Sequence, residues 1–277
     1  MAGRGEGPDF VEALARGLDV LCAFNPTQGP LTLADVAAAT ELARPTARRL
    51  LLTLEELGYV RNKAGYYELT PRVLRLGMAY VTSEGIWDLA RPHLEDLVRR
   101  TGESSSMSEL DGSDIVYVAR VAVPKIISIQ VSIGTVFPAW ATSQGKVLLA
   151  ALPEADLTSV LQTPTRSTVL LPQPDLDQLR DTLRTVRARG WALADEELAP
   201  GVRSVAVPVR DGQGVVRAAT NVTVHAAETS VETLTQEHLP RLLAAAAAIS
   251  EDWALWQSRP QSSVGQAPGG IRRHARG

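Results

Sequence analysis

One stretch constrains this chain more than any other: Leu31–Leu69, LTLADVAAATELARPTARRLLLTLEELGYVRNKAGYYEL. A short helix opens at Thr32 or Leu33, with Leu33, Val36, Ala37 and Leu42 on its inner face. Arg44-Pro45 starts a second helix, because proline suits a first helical position whose N–H has no partner. On that helix Ala47, Leu50, Leu51, Leu54 and Leu57 form one apolar stripe. Pro45, Arg48, Arg49 and Leu52 lie opposite, with Thr46 and Thr53 at the border. Gly58 ends the helix. Tyr59–Arg61 and Tyr66–Leu69 read as two strands around the polar turn Asn62–Gly65, and since Tyr66 and Tyr67 alternate faces, one of them is structural. Helix, break, helix and hairpin in this order is the plan of a winged helix-turn-helix, which lays one helix in the major groove of DNA.

On an arbitrary helix, Arg48 and Arg49 would simply be a solvated face. The preceding helix and the following hairpin turn the reading toward DNA. Arginine holds guanine edges or phosphates, and threonine does either more weakly. The candidate DNA-binding residues are therefore Arg44, Pro45, Thr46, Arg48, Arg49 and Thr53 on the helix, with Arg61 and Lys63 on the wing.

The remainder must explain when that helix is presented. With 277 residues the chain is long enough for two domains. A formal charge of −3 carries no overall basic signature, so DNA binding needs a local basic face. Cys22 is the only cysteine, which excludes an internal disulfide and fits a reducing cytoplasm. MAGRGEGPDF lacks the apolar core of a signal peptide, and no apolar run is long enough to span a membrane.

Residues 1–9 read as disordered and 10–70 as the DNA-binding unit. Its first helix, Phe10–Phe24, carries Val11, Leu14, Leu18, Leu21 and Cys22 on one side. Thr70-Pro71 opens a linker helix over 71–85 whose Val73, Leu74, Leu76, Gly77, Met78 and Val81 cover more than one side, as a dimer interface requires. Residues 86–257 read as an α+β domain. A helix over Ile86–Arg100 carries Pro92 as a kink. Strands are expected over Ser106–Leu110, Asp114–Val121, Lys125–Val131, Arg203–Val209 and Val215–Val224, the last two joined by the turn Asp211–Gly214. Helices are expected over Thr142–Leu152, Pro153–Leu161, Asp175–Arg189 and Thr233–Trp256. Residues 258–277 read as a disordered tail, basic through Arg259, Arg272, Arg273 and Arg276, which adds at most weak, salt-sensitive DNA affinity.

Five motifs in this order resemble the IclR family of bacterial transcriptional regulators: RGLDVL, PTARRLLLTLEELGYV, TSQGKVLLA, GWALADEELAPGVRSVAVPVRDGQGVV and AATNVTVHA. The resemblance implies a two-domain fold, an all-α winged helix-turn-helix followed by an α+β GAF-like domain with an antiparallel sheet. It implies homodimers or dimers of dimers on double-stranded operator DNA, with RNA polymerase as a further partner. The strand AATNVTVHA, with the acidic pair and GVRSVAVPV, is most similar to the branch that controls aromatic-acid genes of the β-ketoadipate pathway. Regulators of that branch respond to protocatechuate, 4-hydroxybenzoate or β-ketoadipate. Carried over by motif, the effector-binding positions are Ser143, Gln144, Ala194, Val202, Ser204, Asn221 and Thr223.

Two physical arguments bear on those positions. Asn221 and Thr223 are two apart on a strand and so share a face. The helix beginning at Ser143 offers free N–H groups and a positive dipole end, so a small organic acid could be held without any arginine. Ala194 stands where the family sometimes has an aspartate, and with Val202 it suits a larger or aromatic acid better than a small keto-acid. The alternative is that Ser143, Ser204, Asn221 and Thr223 are buried polar residues satisfied by backbone.

Enzyme chemistry finds little support. His93, His225, His238 and His274 are scattered without ligand spacing, no GxSxG elbow occurs, and Gly145-Lys146 lacks the earlier glycine of a phosphate loop. Asp195-Glu196-Glu197 could be metal ligands, but adjacent carboxylates in a loop more often face solvent, and His225 is expected at the surface. No cofactor or metal is expected. The rival to a DNA-binding regulator is a small-molecule-binding protein or enzyme whose N-terminal helices only mediate association.

Overall fold

A computed structural model of the chain describes residues 7–24, 29–77, 80, 86–124 and 131–258. Met78 and Val81 of the expected linker, most of the expected strand from Lys125, and the tail from Arg259 lie outside the described residues. The chain divides into two compact units, Met1–Asp88 and Leu89–Gly277.

In the first unit, α1 (Glu12–Cys22), α2 (Leu33–Ala39) and α3 (Arg44–Glu56) surround a core of Val20, Leu31, Val36, Leu51, Leu54, Val60 and Tyr67. A capping box starts α2: the Thr32 hydroxyl accepts from the Asp35 N–H at 3.2 Å, and the Asp35 carboxylate accepts the Thr32 N–H at 2.9 Å. Pro45 stands in the first turn of α3, and Gly58 follows the helix at φ 78°, a left-handed conformation that releases the chain into the wing. The wing pairs β2 (Val60–Lys63) with β3 (Tyr66–Leu69). Tyr67 is the structural tyrosine, buried in the core, while Tyr66 is exposed.

A short strand that the sequence pattern did not reveal, β1 (Leu31–Thr32), pairs with β3 and closes a three-stranded sheet in the order β1-β3-β2. Two apolar expectations change. Val11, Leu14 and Leu18 are exposed, because α1 is rotated to bury Val20 and to lay Leu21 on the core. Leu57 is also exposed, at the very end of α3 where the chain turns. Thr70 caps a 3₁₀ turn, Pro71–Val73, that continues helically through residues 74–77, with Leu74 and Leu76 exposed.

The second unit is an antiparallel six-stranded sheet, β4 (Ser104–Asp111), β5 (Asp114–Val121), β6 (Val136–Pro138), β7 (Ala192–Asp195), β8 (Val202–Arg210) and β9 (Val216–His225), in the order β6-β5-β4-β9-β8-β7. The short strands β6 and β7 were not anticipated. Preceding the sheet is α4 (Ile86–Thr101), which contains Pro92. One face of the sheet carries α5 (Ser143–Ala151), α6 (Glu154–Gln162) and α7 (Leu176–Arg189). Ile115, Tyr117, Phe137, Leu148, Leu149, Leu157, Leu183 and Val186 fill the core between them. On the other side α8 (Leu239–Ser258) packs on β8 and β9, led in by the turn Val231–Thr233 and a π-helical segment, Leu234–His238. His93 of α4 and Asp252 of α8 are joined at 2.7 Å.

The β8–β9 turn is organised by buried Asp211, whose carboxylate accepts the N–H groups of Gln213 and Val215 at 2.9 Å each and pairs with Arg217 at 2.7 Å. Burial pushes this carboxyl upward, but the Arg217 hydrogen bond and the two N–H groups outweigh it and hold it below the usual carboxylate range. Within the described residues no helix is long and apolar enough to cross a membrane.

Candidate functional site

The basic face of the first unit has the expected composition. Arg44, Pro45, Arg48, Arg49 and Thr53 are exposed along α3, and Thr46 is half-buried. None of the three α3 arginines has an acidic partner among the described residues. Thr53 spends its hydroxyl hydrogen on the Arg49 carbonyl at 2.9 Å, which leaves its oxygen as an acceptor. The wing differs: Arg61 and Lys63 share the carboxylate of Glu68, at 2.7 and 3.8 Å. The Arg61 hydrogen bond, helped by the two positive charges, holds the Glu68 carboxyl below its usual range. Glu55 of α3 accepts the Asn62 N–H at 3.2 Å, tying the wing to the helix beside it.

The second unit contains a recess of about 520 Å³, counted with its open mouth, between the start of α5 and the sheet. All seven positions carried over by motif line it: Ser143, Gln144, Ala194, Val202, Ser204, Asn221 and Thr223. So do Tyr117, Arg120, Val131, Ala141, Thr142 and Leu198, which the sequence reading did not place in the site.

Local chemistry positions each wall. The Thr142 hydroxyl caps α5 by accepting the Gly145 N–H at 3.0 Å. Gly145 lets the helix lie directly on the turn before it, since a Cβ there would sit 2.0 Å from the Ala139 carbonyl oxygen. Gln144 Nε2 donates to the carbonyls of Ser106 and Ala219 at 3.1 and 2.9 Å, pinning the helix start to β4 and β9. Its Oε1 is buried and has no hydrogen-bond partner among the described residues. The Ser143 and Ser204 hydroxyls meet at 2.7 Å. Asn221 Oδ1 accepts the Ser106 N–H at 3.0 Å, and its Nδ2 donates to Thr223 Oγ1 at 2.9 Å. These polar groups therefore satisfy one another largely through side chains, and backbone supplies only part of their partners. The N–H groups of Ser143 and Gln144, in the first turn of α5, have no acceptor among the described residues.

Arg120 adds to the recess a cation that the sequence reading did not place there. Strict alternation along β5 would put Tyr117 and Arg120 on opposite faces. The register shifts, however: Ser108 pairs with Tyr117 and Met107 with Ala119, so Val118 is an extra residue in a β-bulge. Both Tyr117 and Arg120 consequently face the recess. Arg120 Nη1 donates to Ser106 Oγ at 2.9 Å, and no carboxylate among the described residues pairs with it. Burial lowers the Arg120 pKa, an effect that Tyr117 opposes. Burial also pushes the Tyr117 hydroxyl up to about 12, so it stays protonated.

The acidic run Asp195–Glu197, which begins on the last residue of β7, faces solvent as expected, and each carboxylate also has a partner. Asp195 pairs with Arg203 at 2.6 Å, Glu196 accepts the Gly201 N–H at 2.8 Å, and Glu197 takes both its bonds, 2.5 and 2.6 Å, from buried Lys146. Lys146 also donates to the Leu193 carbonyl at 3.3 Å, fastening α5 to this loop. His225 does not line the recess; its Nδ1 accepts the Ala227 N–H at 3.2 Å.

Residues 78–251 match the family described as bacterial transcriptional regulator IclR C-terminal, and residues 13–64 match the IclR helix-turn-helix domain. The chain belongs to the IclR family. It is 40% identical over 242 residues to the Pca regulon regulatory protein of Pseudomonas putida, covering 86% of this chain and 82% of that protein. Among solved structures, a transcriptional regulator from Rhodococcus sp. RHA1 superposes with a TM-score of 0.74 at 45% identity, over 89% of this chain and all of the other. An IclR homolog from Microbacterium hydrocarbonoxydans, crystallised with 4-hydroxybenzoate, gives a TM-score of 0.74 at 24% identity over 88% of this chain and all of that one, a likeness of fold. This IclR chain is thus a DNA-binding transcriptional regulator of two-domain architecture, similar to regulators of aromatic-acid genes.

Proposed function

We propose that this IclR-family regulator binds its operator as a homodimer or dimer of dimers and that an organic acid in the α5 recess controls that binding. The observation that carries the reading is the makeup of the recess. The Arg120 guanidinium, which has no carboxylate partner among the described residues, and the N–H groups at the start of α5, which have no acceptor among them, favour negative charge, while Val131, Ala141, Ala194, Leu198 and Val202 offer an apolar wall. Such a lining suits an aromatic acid, and a Pca regulon regulator is among the relatives.

In this reading Arg44, Pro45, Thr46, Arg48, Arg49 and Thr53 meet the major groove, and Arg61 and Lys63 meet phosphate. The exposed apolar positions Val11, Leu14, Leu18, Leu74 and Leu76 pair one protomer with the next. A single recognition helix makes few phosphate contacts, so pairing two supplies the affinity that one lacks. The chain acts in the cytoplasm and catalyses nothing; RNA polymerase is its further partner.

The test is operator binding by fluorescence anisotropy, using DNA from upstream of the protein's own gene, with and without aromatic acids. Arg48→Ala with Arg49→Ala abolishes specific binding while the oligomer stays folded. Unchanged affinity in that double variant would remove α3 from the interface, and an operator affinity insensitive to every acid would remove the effector role.

A further inference from the structure

One continuous segment supplies a wall of the recess. Ala194, Leu198 and Val202 all line it, and they are the penultimate residue of β7, the middle of the β7–β8 loop and the first residue of β8. Asp195, Glu196, Glu197 and Pro200 are exposed to solvent, while Leu198 is half-buried at the recess. The neck of the loop is closed on itself. Asp195 pairs with Arg203 at 2.6 Å, the Glu196 N–H donates to the Val202 carbonyl at 2.9 Å, and the Glu196 carboxylate accepts the Gly201 N–H at 2.8 Å. Glu196 and Gly201 both have a positive φ, 56° and 77°, so the chain turns sharply on each side of the neck. Glu197–Pro200 thus forms a small flap that carries Leu198.

An ion pair fastens this flap to α5. Glu197 gives both carboxylate oxygens to Lys146 Nζ, at 2.5 and 2.6 Å, one residue before the leucine at the recess. The Lys146 side chain is 6% exposed and that of Glu197 41%, so the acid can turn out into water while the lysine stays behind. The Leu193 carbonyl, 3.3 Å from Nζ, still holds the lysine when the acid leaves. Such a contact opens from one side.

We propose that the Glu197–Lys146 pair is the latch of a gate: ligand enters and leaves the recess when Glu197 lets go and Leu198 swings out with the flap. The inference rests on the reading of the recess as the effector site and adds the control of access to it. Lys146 and Glu197 do not line the recess, so the latch holds the wall closed equally with ligand and without it. A contact of equal strength in both states slows entry and exit by the same factor and leaves their ratio alone. The pair therefore sets how fast ligand exchanges, and the lining sets how tightly it is held.

Amide exchange read by mass spectrometry, together with stopped-flow binding of 4-hydroxybenzoate, benzoate and adipate to the full chain, tests this. Glu197→Gln keeps the shape of the latch without its charge. Lys146→Met also removes the buried cation, and so serves if the stranded lysine of Glu197→Gln prevents folding. In both variants residues 196–201 exchange roughly 10-fold faster than in the wild type while β4 and β9 keep their protection. For a probe that the wild type binds, kon and koff both rise roughly 10-fold and Kd stays within about threefold. A merely structural role gives a different split, with koff and Kd rising together and kon unchanged. That split, or wild-type exchange at residues 196–201 in both variants, would overturn the gate and leave the effector site in place. No binding of any of the three probes by the wild-type protein would overturn the effector reading and the gate with it.

Discussion

Gly145→Ala is the smallest change with a large expected effect. The added Cβ would stand 2.0 Å from the Ala139 oxygen and 2.4 Å from its Cα, where real Cβ contacts are essentially never under 3.0 Å. Because the neighbour is backbone, α5 itself must retreat by the order of an ångström. That motion stretches the Gln144 bonds to Ser106 and Ala219 from 3.1 and 2.9 Å toward the limit of hydrogen bonding. Overpacking costs about 1–3 kcal/mol, and weakening two buried hydrogen bonds adds a similar amount. The better helix propensity of alanine returns about 1 kcal/mol. A net loss of about 3 kcal/mol in a unit this size lowers Tm by roughly 6–12 °C. Differential scanning calorimetry of the full chain reads this directly. Gly17→Ala is the control, since Gly17 lies in α1 with nothing within 4 Å of the added carbon, and it should leave Tm unchanged or slightly raised. A Gly145→Ala protein that melts with the wild type would refute the close approach of α5 to the Ala139 turn.

Three further outcomes follow from named contacts. Glu197→Gln strips the counter-ion from a lysine whose side chain is 6% exposed and costs about 2–3 kcal/mol by urea titration, more than Lys146→Met, which removes the buried charge altogether. Asp211 has a folded-state pKa below its unfolded one, so its contribution is present above the unfolded pKa, near pH 4, and is lost as pH falls through the lower folded value. The stability gap between wild type and Asp211→Asn should therefore close as urea melts are taken below about pH 4. Glu68→Gln releases Arg61 and Lys63 on the wing; operator affinity rises at low salt, and the slope of log K against log salt steepens by about 0.9 for each phosphate newly contacted. An unchanged slope would mean that the wing cations do not reach DNA.

Local signals and long-range ones differed in how far the sequence disclosed them. Thr32, Pro45, Gly58, Thr70, Thr142 and Asp175 mark element ends because caps and turns depend on a few adjacent residues, and the structure has them at those ends. The strands β1, β6 and β7 span two to four residues each and show no alternation long enough to recognise; they exist because a neighbouring strand pairs with them. The exposed stripe on α1 is apolar by pattern, yet the core takes Val20 instead, since pattern fixes a face and not its partner. Of the recess, the α5 start and the β9 pair Asn221 and Thr223 were legible from motif and period. Tyr117 and Arg120 were not, because a bulge leaves no mark in composition and reverses the period beyond it.

That bulge gives β5 an unusual property. Residues Asp114–Val121 are one longer than their pairing with β4 requires, so the bulge decides which of two phases its last residues follow. In the phase observed, Arg120 walls the recess. In the other, with Val118 taken into the ladder, Ala119 would replace it and a methyl group would stand where the cation is. The same eight residues thus spell both a charged wall and a neutral one, and a single insertion or deletion in this strand would exchange the polarity of the wall without substituting any residue of it.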